Sequence, residues 1–193
     1  GLNMYENLFF WVEFFHSLQM NVVISDLSSR ALYAKGQYSV PSDTACYPAK
    51  LMHGHIENLL DQGVDTIFYP CMSYNFDEQK GDNHFNCPVV AYYPELLASN
   101  VEKLKSVRYL YPYLNLSAQK TFPKKVWEAL RDYYPDLTLK EVKQASENAY
   151  NRYHAQRMEI KEKGKEALEF AREHGLKTII LCGRPYHVDP EIN

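Results

Sequence analysis

Apolar residues within positions 2–18 recur every three or four residues, which predicts a helix with one apolar face. A second helix is predicted over residues 48–62. Pro48 suits the first turn of that helix, and Gly63 suits the position that follows its last turn.

Three short apolar runs predict buried strands at residues 21–26, 64–70 and 88–92. Residues 72–86 are polar and lack a helical pattern, so they are predicted to form a loop. Helices that alternate with strands favour an α/β fold in which a Rossmann-like parallel sheet forms one layer. A mixed sheet with one antiparallel edge is the alternative.

The second half of the chain has a helical pattern. After a helix at residues 123–131, Thr138 and Glu141 have the spacing of a capping box. The apolar face that follows predicts either one long helix or two helices that meet near Gly164. A further strand is predicted at residues 177–182.

These patterns divide the chain into three parts. Residues 1–119 are predicted to form an α/β domain that carries the candidate site, and residues 120–175 a helical connector. Residues 176–193 are expected to begin a second, truncated α/β unit. We therefore expect the chain to be a segment of a longer protein.

Composition narrows the class of protein. The chain has 193 residues, 46% of them apolar, and a formal net charge of −3, which argues against disorder and against a general nucleic-acid binder. No apolar run approaches the roughly 20 residues that span a bilayer, so no membrane association is expected. The acidic excess lies in residues 1–119, with 12 Asp and Glu against 7 Lys and Arg. Four cysteines without an export signal predict reduced thiols in a cytoplasmic protein.

Cys46 and Cys71 are the candidate metal ligands. Cys46 precedes the helix that Pro48 begins, where the helix N-terminus favours a thiolate. Cys71 follows a predicted strand, at the edge of the sheet where ligands gather in open α/β folds. A thiolate pair there suits a soft metal or an iron–sulfur cluster. The alternative is that both are small buried apolar residues.

Cys87 is harder to place from the pattern. If residues 88–92 form a parallel strand, Cys87 lies at the opposite edge of the sheet, roughly 17 Å from Cys71. It joins the pair only if the loop at 72–86 folds across, or if this strand is not parallel to its neighbour. Cys182, at the end of an apolar run, is interpreted as a core residue.

His53 and His55 lie two positions apart on a helix and point in opposite directions, so one zinc ion cannot readily use both. One is expected to face the sheet and the other water. Arg184 and His187 follow a predicted strand, where they could bind an anion such as a coenzyme A phosphate or a carboxylate. The alternative is a polar turn before Pro190.

Several separated segments resemble the acyl-CoA dehydratase activase-related proteins. The resemblance is to the dehydratase-like domain, called DUF2229, of the CoA-substrate-specific enzyme activases. It covers most of residues 2–100 and residues 165–193, and it is weak over residues 101–164. The segments that carry it are Ser42–His55, Val64–Cys71, Asn86–Val90 and Gly183–Pro190.

The resemblance implies a chemistry. Proteins of the wider family include 2-hydroxyacyl-CoA dehydratases and double-cubane cluster proteins, which hold [4Fe–4S] clusters through cysteines and receive electrons from an ATP-hydrolysing activator. Cys46 and Cys71 match the first two cysteine motifs, and Cys87 matches a third cysteine of this subfamily. The activator's ATP-binding motifs are absent, so the chain resembles the side that accepts electrons. We expect the cluster in the full-length protein rather than in this segment alone.

Three functions follow as hypotheses. The first is part of a dehydratase-like iron–sulfur protein, with Cys46, Cys71 and Cys87 as ligands and Arg184 and His187 as contacts to an acyl-CoA. The second is a non-catalytic domain whose acidic first part docks an ATPase activator. The third is a thiol enzyme with Cys46 as nucleophile.

Overall fold

The computed structural model describes residues 2–79 and 81–192. Its helices and strands, in chain order, are α1 Met4–Ser17, α2 Arg30–Gly36, α3 Tyr47–Asp61, β1 Thr66–Phe68, α4 Pro88–Asn100, β2 Arg108–Leu110, α5 Phe122–Leu130 and α6 Leu139–Glu173. Single turns of 3₁₀ helix lie at Gln37–Ser39, Glu102–Ser106 and Pro185–Val188.

Two short parallel strands form the sheet of the described residues. Thr66 pairs with Arg108 and Phe68 with Leu110. α4 and a 3₁₀ turn connect β1 to β2, as a parallel pair requires a crossover. The fold therefore mixes helices with a small parallel sheet, which confirms the α/β class at that coarse level.

Residues 88–92 form the start of helix α4, so the strand predicted there is wrong. Cys87 is the N-cap residue and Pro88 occupies the first turn, where its missing N–H costs nothing. Val89 and Val90 favour a strand locally. The helical pattern extends over thirteen residues, however, and buries Val90, Tyr93 and Leu97 against the body of the protein.

The strands predicted at 21–26 and 177–182 are also wrong. Neither segment belongs to a helix or a strand of the structure. Residues 21–26 and residues 64–70 line the same cavity and do not pair with each other. Residues 177–182 are exposed along their whole length. An apolar run becomes a strand only when a neighbour supplies backbone hydrogen bonds.

The helical predictions for the second half are confirmed. The predicted helix at 123–131 is α5. The capping box forms as expected, since Thr138 Oγ1 accepts from the Glu141 N–H and the Glu141 carboxylate accepts from the Thr138 N–H. α6 is one continuous helix of 35 residues that passes through Gly164.

The interior contains two apolar clusters. The first joins α1, α5 and α6 and is rich in aromatic side chains, with Phe10, Phe14 and Phe122 almost completely buried. The second joins α3, α4 and β1 and includes Ile56 and Leu97. The second cluster holds both helix N-termini that carry candidate ligands, so it positions the site.

α2 and α3 cross at a pair of glycines. A Cβ on Gly36 would lie 2.2 Å from the backbone nitrogen of Gly54, and a Cβ on Gly54 would lie 2.1 Å from the carbonyl oxygen of Leu32. Both neighbours are backbone atoms that cannot rotate aside. The crossing therefore requires glycine at these positions.

Gly54→Ala is expected to lower the free energy of unfolding by about 2–3 kcal/mol, because the two helices must separate to admit a methyl group. Urea unfolding followed by circular dichroism measures the change. Gly164→Ala is the matched control, since no atom lies within 4 Å of its Cβ position. This control should leave stability unchanged or raise it by up to about 1 kcal/mol. Equal losses in the two variants would contradict the close crossing.

Candidate functional site

The three candidate cysteines lie along the edge of the sheet where the carboxyl ends of its strands are. Cys46 is the N-cap of α3 and Cys87 is the N-cap of α4. Each of these helices leads back to the start of a parallel strand, so each begins near the carboxyl edge. Cys71 lies just beyond β1 at the same edge. Its N–H donates to the Pro112 carbonyl over 2.9 Å, and its carbonyl accepts from the Leu114 N–H over 3.0 Å.

The helical start of α4 changes the expected place of Cys87. A strand would have carried this residue to the opposite edge, away from Cys71. As a helix N-cap it lies on the same side of the sheet as Cys46 and Cys71. The separation from Cys71 that a strand at residues 88–92 would have imposed therefore does not apply to Cys87.

The three thiols have different surroundings. Cys46 is exposed, Cys87 is partly buried and Cys71 is completely buried, and all are free thiols. Burial and the nearby Glu95 carboxylate raise the pKa of the Cys71 thiol to about 11. The Tyr113 hydroxyl, which donates to Glu95 Oε1 over 2.5 Å, and the Glu95 backbone also contact Cys71 and act in the opposite direction.

A buried tyrosine links Cys46 to a histidine. Burial raises the pKa of Tyr93 to about 12, and the closeness of Cys46 adds to the effect. The Tyr93 hydroxyl lies 3.0 Å from His53 Nε2, and His53 Nδ1 lies 2.7 Å from Ser39 Oγ. The neutral side chains of Tyr93, His53 and Ser39 therefore form a buried hydrogen-bond network next to Cys46.

The sulfur atoms do not form a ready metal site. Within residues 2–79 and 81–192, no group of three or more His, Cys, Asp or Glu side chains is arranged to hold a metal ion. Three sulfur donors at one edge fit an iron–sulfur cluster in ligand type. They do not close around one position in this conformation, and the role of Cys46, Cys71 and Cys87 as ligands stays a prediction.

Arg184 lines a polar cavity of about 480 Å³ next to the loop that follows β1. Arg157 lines the same cavity and forms an ion pair with Glu78. Glu6, Glu78 and His84 line the cavity as well. In the part of the chain that the structure describes, no carboxylate lies within ion-pair distance of the Arg184 guanidinium.

His187 has a structural contact of its own. Its Nδ1 accepts a hydrogen bond from the Arg184 N–H over 3.0 Å and closes the turn Pro185–Val188. A Cβ on Gly183 would lie 2.0 Å from the same nitrogen, so a larger residue there would displace the His187 ring and break this hydrogen bond. Nε2 is the ring nitrogen left for a ligand, and the anion-binding role of His187 stays a prediction.

A family comparison adds to this geometry. The family model described as the CoA enzyme activase uncharacterised domain (DUF2229) covers residues 1–193. The chain belongs to this family. Comparisons with curated proteins and with solved structures each find no match. The resemblance inferred from the motifs is thus confirmed for the whole chain, including residues 101–164, where the motifs alone were weak.

No helix of the described part of this activase-family domain is long and apolar enough to cross a lipid bilayer.

The structure of the activase-family domain buries both histidines of α3, which corrects the expectation that one faces water. His53 is completely buried and His55 is 7% exposed. The outer face of α3, expected to meet solvent, is covered by α2 and by residues 25–28. Burial lowers the pKa of each histidine to about 4, so both are neutral near pH 7.

His55 belongs to a polar cluster that sequence reasoning missed. Ser28 Oγ donates to Asp189 Oδ2 over 2.5 Å, so toward His55 it can only accept, and His55 Nε2 carries the proton. His55 Nδ1 then accepts from Ser25 Oγ over 2.8 Å. Asp189 orients the serine rather than the histidine, which differs from a serine hydrolase triad.

Sequence spacing could not have found this cluster, because Ser28 and Asp189 lie 161 residues apart. The one feature of the sequence that pointed to Asp189 is its position within the segment Gly183–Pro190, which is one of the family motifs. The motif therefore has a structural contact with the first part of the chain.

Proposed function

We propose that this domain is the electron-accepting part of a dehydratase-like iron–sulfur protein, with Cys46, Cys71 and Cys87 as ligands of a [4Fe–4S] cluster. The observation that carries the proposal is the convergence of two helix N-termini and the end of β1, each with a cysteine, on one edge of the sheet. The parallel pair, with a helix before each strand, also supports a Rossmann-like layer as its framework.

The three thiols have surroundings that differ in how they would contribute to binding a cluster. Cys46 and Cys87 are the N-cap residues of α3 and α4, where the positive end of each helix dipole lies close to the sulfur and favours an anionic ligand or cluster. Cys71 is buried and keeps its proton until a metal replaces it, so iron binding at this edge should release protons and weaken at low pH. A [4Fe–4S] cluster supplies the reversible acceptance of one electron, with a potential that depends on burial and on hydrogen bonds to sulfur.

The backbone around Cys71 can position the sulfur. Both peptide groups of Cys71 are tied to the chain that extends β2, so the residue cannot move far without breaking the sheet. Cys46 and Cys87, as N-cap residues, have more freedom to approach it. We therefore propose that Cys71 is the fixed ligand and that the two N-cap cysteines adjust.

Arg184 supports the proposal that the substrate is an acyl-CoA. Arg184 lines the same cavity as Arg157, but Arg157 is already paired with Glu78, so Arg184 is the arginine proposed to bind a diphosphate or carboxylate there. His187 stands next to it through the hydrogen bond to the Arg184 N–H. An ATP-hydrolysing activator is the proposed partner, and the acidic excess of residues 1–119 supports an electrostatic docking face.

Anaerobic reconstitution of the full-length protein with ferrous iron and sulfide tests the cluster. Iron content per chain and the EPR spectrum after reduction are measured for the wild type and for Cys46→Ser, Cys71→Ser and Cys87→Ser. We expect each substitution to remove most of the bound iron. Cys182→Ser is the matched control and should retain it, because Cys182 is an exposed thiol on a different segment.

Full iron binding in the three serine variants would contradict the proposed ligands. A full-length protein that binds no iron, yet still binds its ATPase partner, would favour the docking function instead. Loss of an activity on alkylation of Cys46 alone would favour a thiol enzyme.

A further inference from the structure

The hydroxyl of Tyr69 is a buried hydrogen-bond donor without a partner. Tyr69 is 5% exposed, and its hydroxyl oxygen has no hydrogen-bond partner among the residues that the structure describes. The hydroxyls of Tyr109 and Tyr150, in contrast, donate to backbone carbonyls over 3.0 Å and 2.8 Å. A buried hydroxyl that donates to nothing destabilises the fold, so its place there calls for an explanation.

Tyr69 and Cys71 point to the same side of the sheet. Their N–H groups both donate to carbonyls of β2 and of the chain that extends it, and Cys71 pairs with Tyr113 in the register of the strands. Side chains two positions apart in such a chain lie on one face, with Cα atoms about 6.6 Å apart. Tyr69 belongs to the second cluster. Both side chains therefore lie on the face of the sheet that α3 and α4 cover.

The Tyr69 hydroxyl is close to two parts of the candidate site. Burial raises the pKa of Tyr69 above its ordinary value, and the nearness of Tyr93 and Cys71 adds to this effect, so the hydroxyl is protonated and can donate. Tyr93 in turn is close to Cys46. The hydroxyl thus lies near Cys71 on the sheet and near the tyrosine that adjoins Cys46.

The Tyr93 hydroxyl cannot take the same role, because its proton is already used. Ser39 Oγ donates to the Gly36 carbonyl over 3.0 Å, so toward His53 Nδ1 it can only accept, and Nδ1 carries the ring proton. His53 Nε2 then accepts from the Tyr93 hydroxyl over 3.0 Å. The proton of Tyr93 is therefore held within the network.

The Tyr113 hydroxyl, which also lies near Cys71, is committed as well. It donates to Glu95 Oε1 over 2.5 Å. Tyr69 therefore has a proton free for a bound group, whereas Tyr93 and Tyr113 do not.

A group bound next to Tyr69 has to supply an acceptor. A neutral thiol is a weak acceptor, which agrees with the missing hydrogen bond between the Tyr69 hydroxyl and Cys71. A metal-bound thiolate or a sulfide carries negative charge and accepts a stronger hydrogen bond. An apolar ligand would leave the hydroxyl unsatisfied. The position of Tyr69, two residues from Cys71 on the same face, favours a sulfur acceptor.

We propose that the Tyr69 hydroxyl donates a hydrogen bond to a sulfur atom, of the Cys71 thiolate or of a sulfide, in the cluster proposed at Cys46, Cys71 and Cys87. This inference rests on the proposed function. A hydrogen bond to sulfur stabilises the reduced state more than the oxidised state, because the reduced state carries one more negative charge. Tyr69 thereby raises the potential at which the site accepts an electron.

A redox titration of the reconstituted full-length protein tests this, followed by EPR and without acyl-CoA. The signal to follow is the one that Cys71→Ser removes, which assigns it to this site. For Tyr69→Phe we expect the wild-type iron content and a reduction equilibrium shifted about tenfold toward the oxidised form, or about 59 mV to lower potential. Tyr109→Phe is the matched control and should keep the wild-type potential, because the Tyr109 hydroxyl donates to the Pro94 carbonyl.

Urea unfolding of the iron-free protein gives a second measurement. Tyr69→Phe should unfold at the same urea concentration as the wild type or at a higher one, because phenylalanine has no hydroxyl to leave unsatisfied. Tyr109→Phe should unfold at a lower urea concentration, because the Pro94 carbonyl loses its donor.

An unchanged potential in Tyr69→Phe would overturn this inference and leave the proposed ligands in place. Equal shifts in the two variants, or a lower unfolding midpoint for iron-free Tyr69→Phe, would overturn it as well, because the hydroxyl would then act through the fold. A wild type without any EPR signal that depends on Cys71 would instead overturn the proposed function, and this inference with it.

Discussion

Phe10→Ala should lower the free energy of unfolding by about 3–5 kcal/mol, because it removes a large side chain from the centre of the aromatic cluster. Phe10 is completely buried. Its ring centroid lies 4.9 Å from that of Tyr150 and 5.5 Å from that of Phe122, both in edge-to-face geometry. The side chain thereby joins α1 to both helices of the second half. Urea unfolding of the purified domain measures the loss.

Phe9→Ala is the matched control for this substitution. Phe9 is the preceding residue on α1, is 40% exposed and contacts the Arg152 guanidinium, 4.9 Å from the ring centroid. A cation–π contact at an exposed site contributes about 0.5–1 kcal/mol. A loss in Phe9→Ala as large as that in Phe10→Ala would contradict the assigned position of the core.

Acidification should destabilise the domain between about pH 6.5 and pH 4 through His53 and His55. Burial lowers the pKa of both to about 4 in the folded protein, whereas an unfolded histidine titrates near 6.5. The unfolded state therefore binds more protons in this window, so the stability that neutral histidines give is complete above pH 6.5 and is lost as the pH falls through 4. The expected loss by pH 4 is about 3 kcal/mol for each histidine, or about 6 kcal/mol for the two together.

Unfolding free energies measured at pH 7, 5.5 and 4.5 test this linkage. His53→Gln and His55→Gln should each flatten the dependence on pH, since they remove one titrating group. His154→Gln, at an exposed position on α6, should leave it unchanged. An identical pH dependence in all four proteins would contradict the role of the buried histidines and assign the acid sensitivity to carboxylates.

The histidine networks connect the stability of α3 with the candidate site. His53 meets Tyr93, which lies close to Cys46, and His55 meets Ser28, which holds Asp189. Protonation of either ring would add a charge to a buried hydrogen-bond network, and the nearby carboxylates (Glu57 for His53, Asp189 and Asp26 for His55) offset only part of the cost of burying it. We therefore expect the N-terminus of α3, and with it Cys46, to lose order in the same pH range.

Helices were the most predictable elements. α1, α3, α5 and α6 follow patterns of apolar spacing, proline position and capping that act within one or two turns, so a single sequence is sufficient to predict them. The strand predicted at 88–92 failed for the opposite reason. Five apolar residues fit a buried strand as well as a buried helix, and the packing of Tyr93 and Leu97 decided between them.

By itself, the sequence determined the helical segments, the α/β class, the family and the identity of the candidate ligands. Tertiary structure alone decided that Cys87 lies on the same edge as Cys71, that both histidines of α3 are buried, and that Asp189 meets Ser28. The sequence is sufficient for these features because helix formation depends on neighbours a few residues away, and because each family motif is a contiguous stretch of the chain. Strand pairing and burial depend on residues distant in the chain, which become neighbours only when the elements pack.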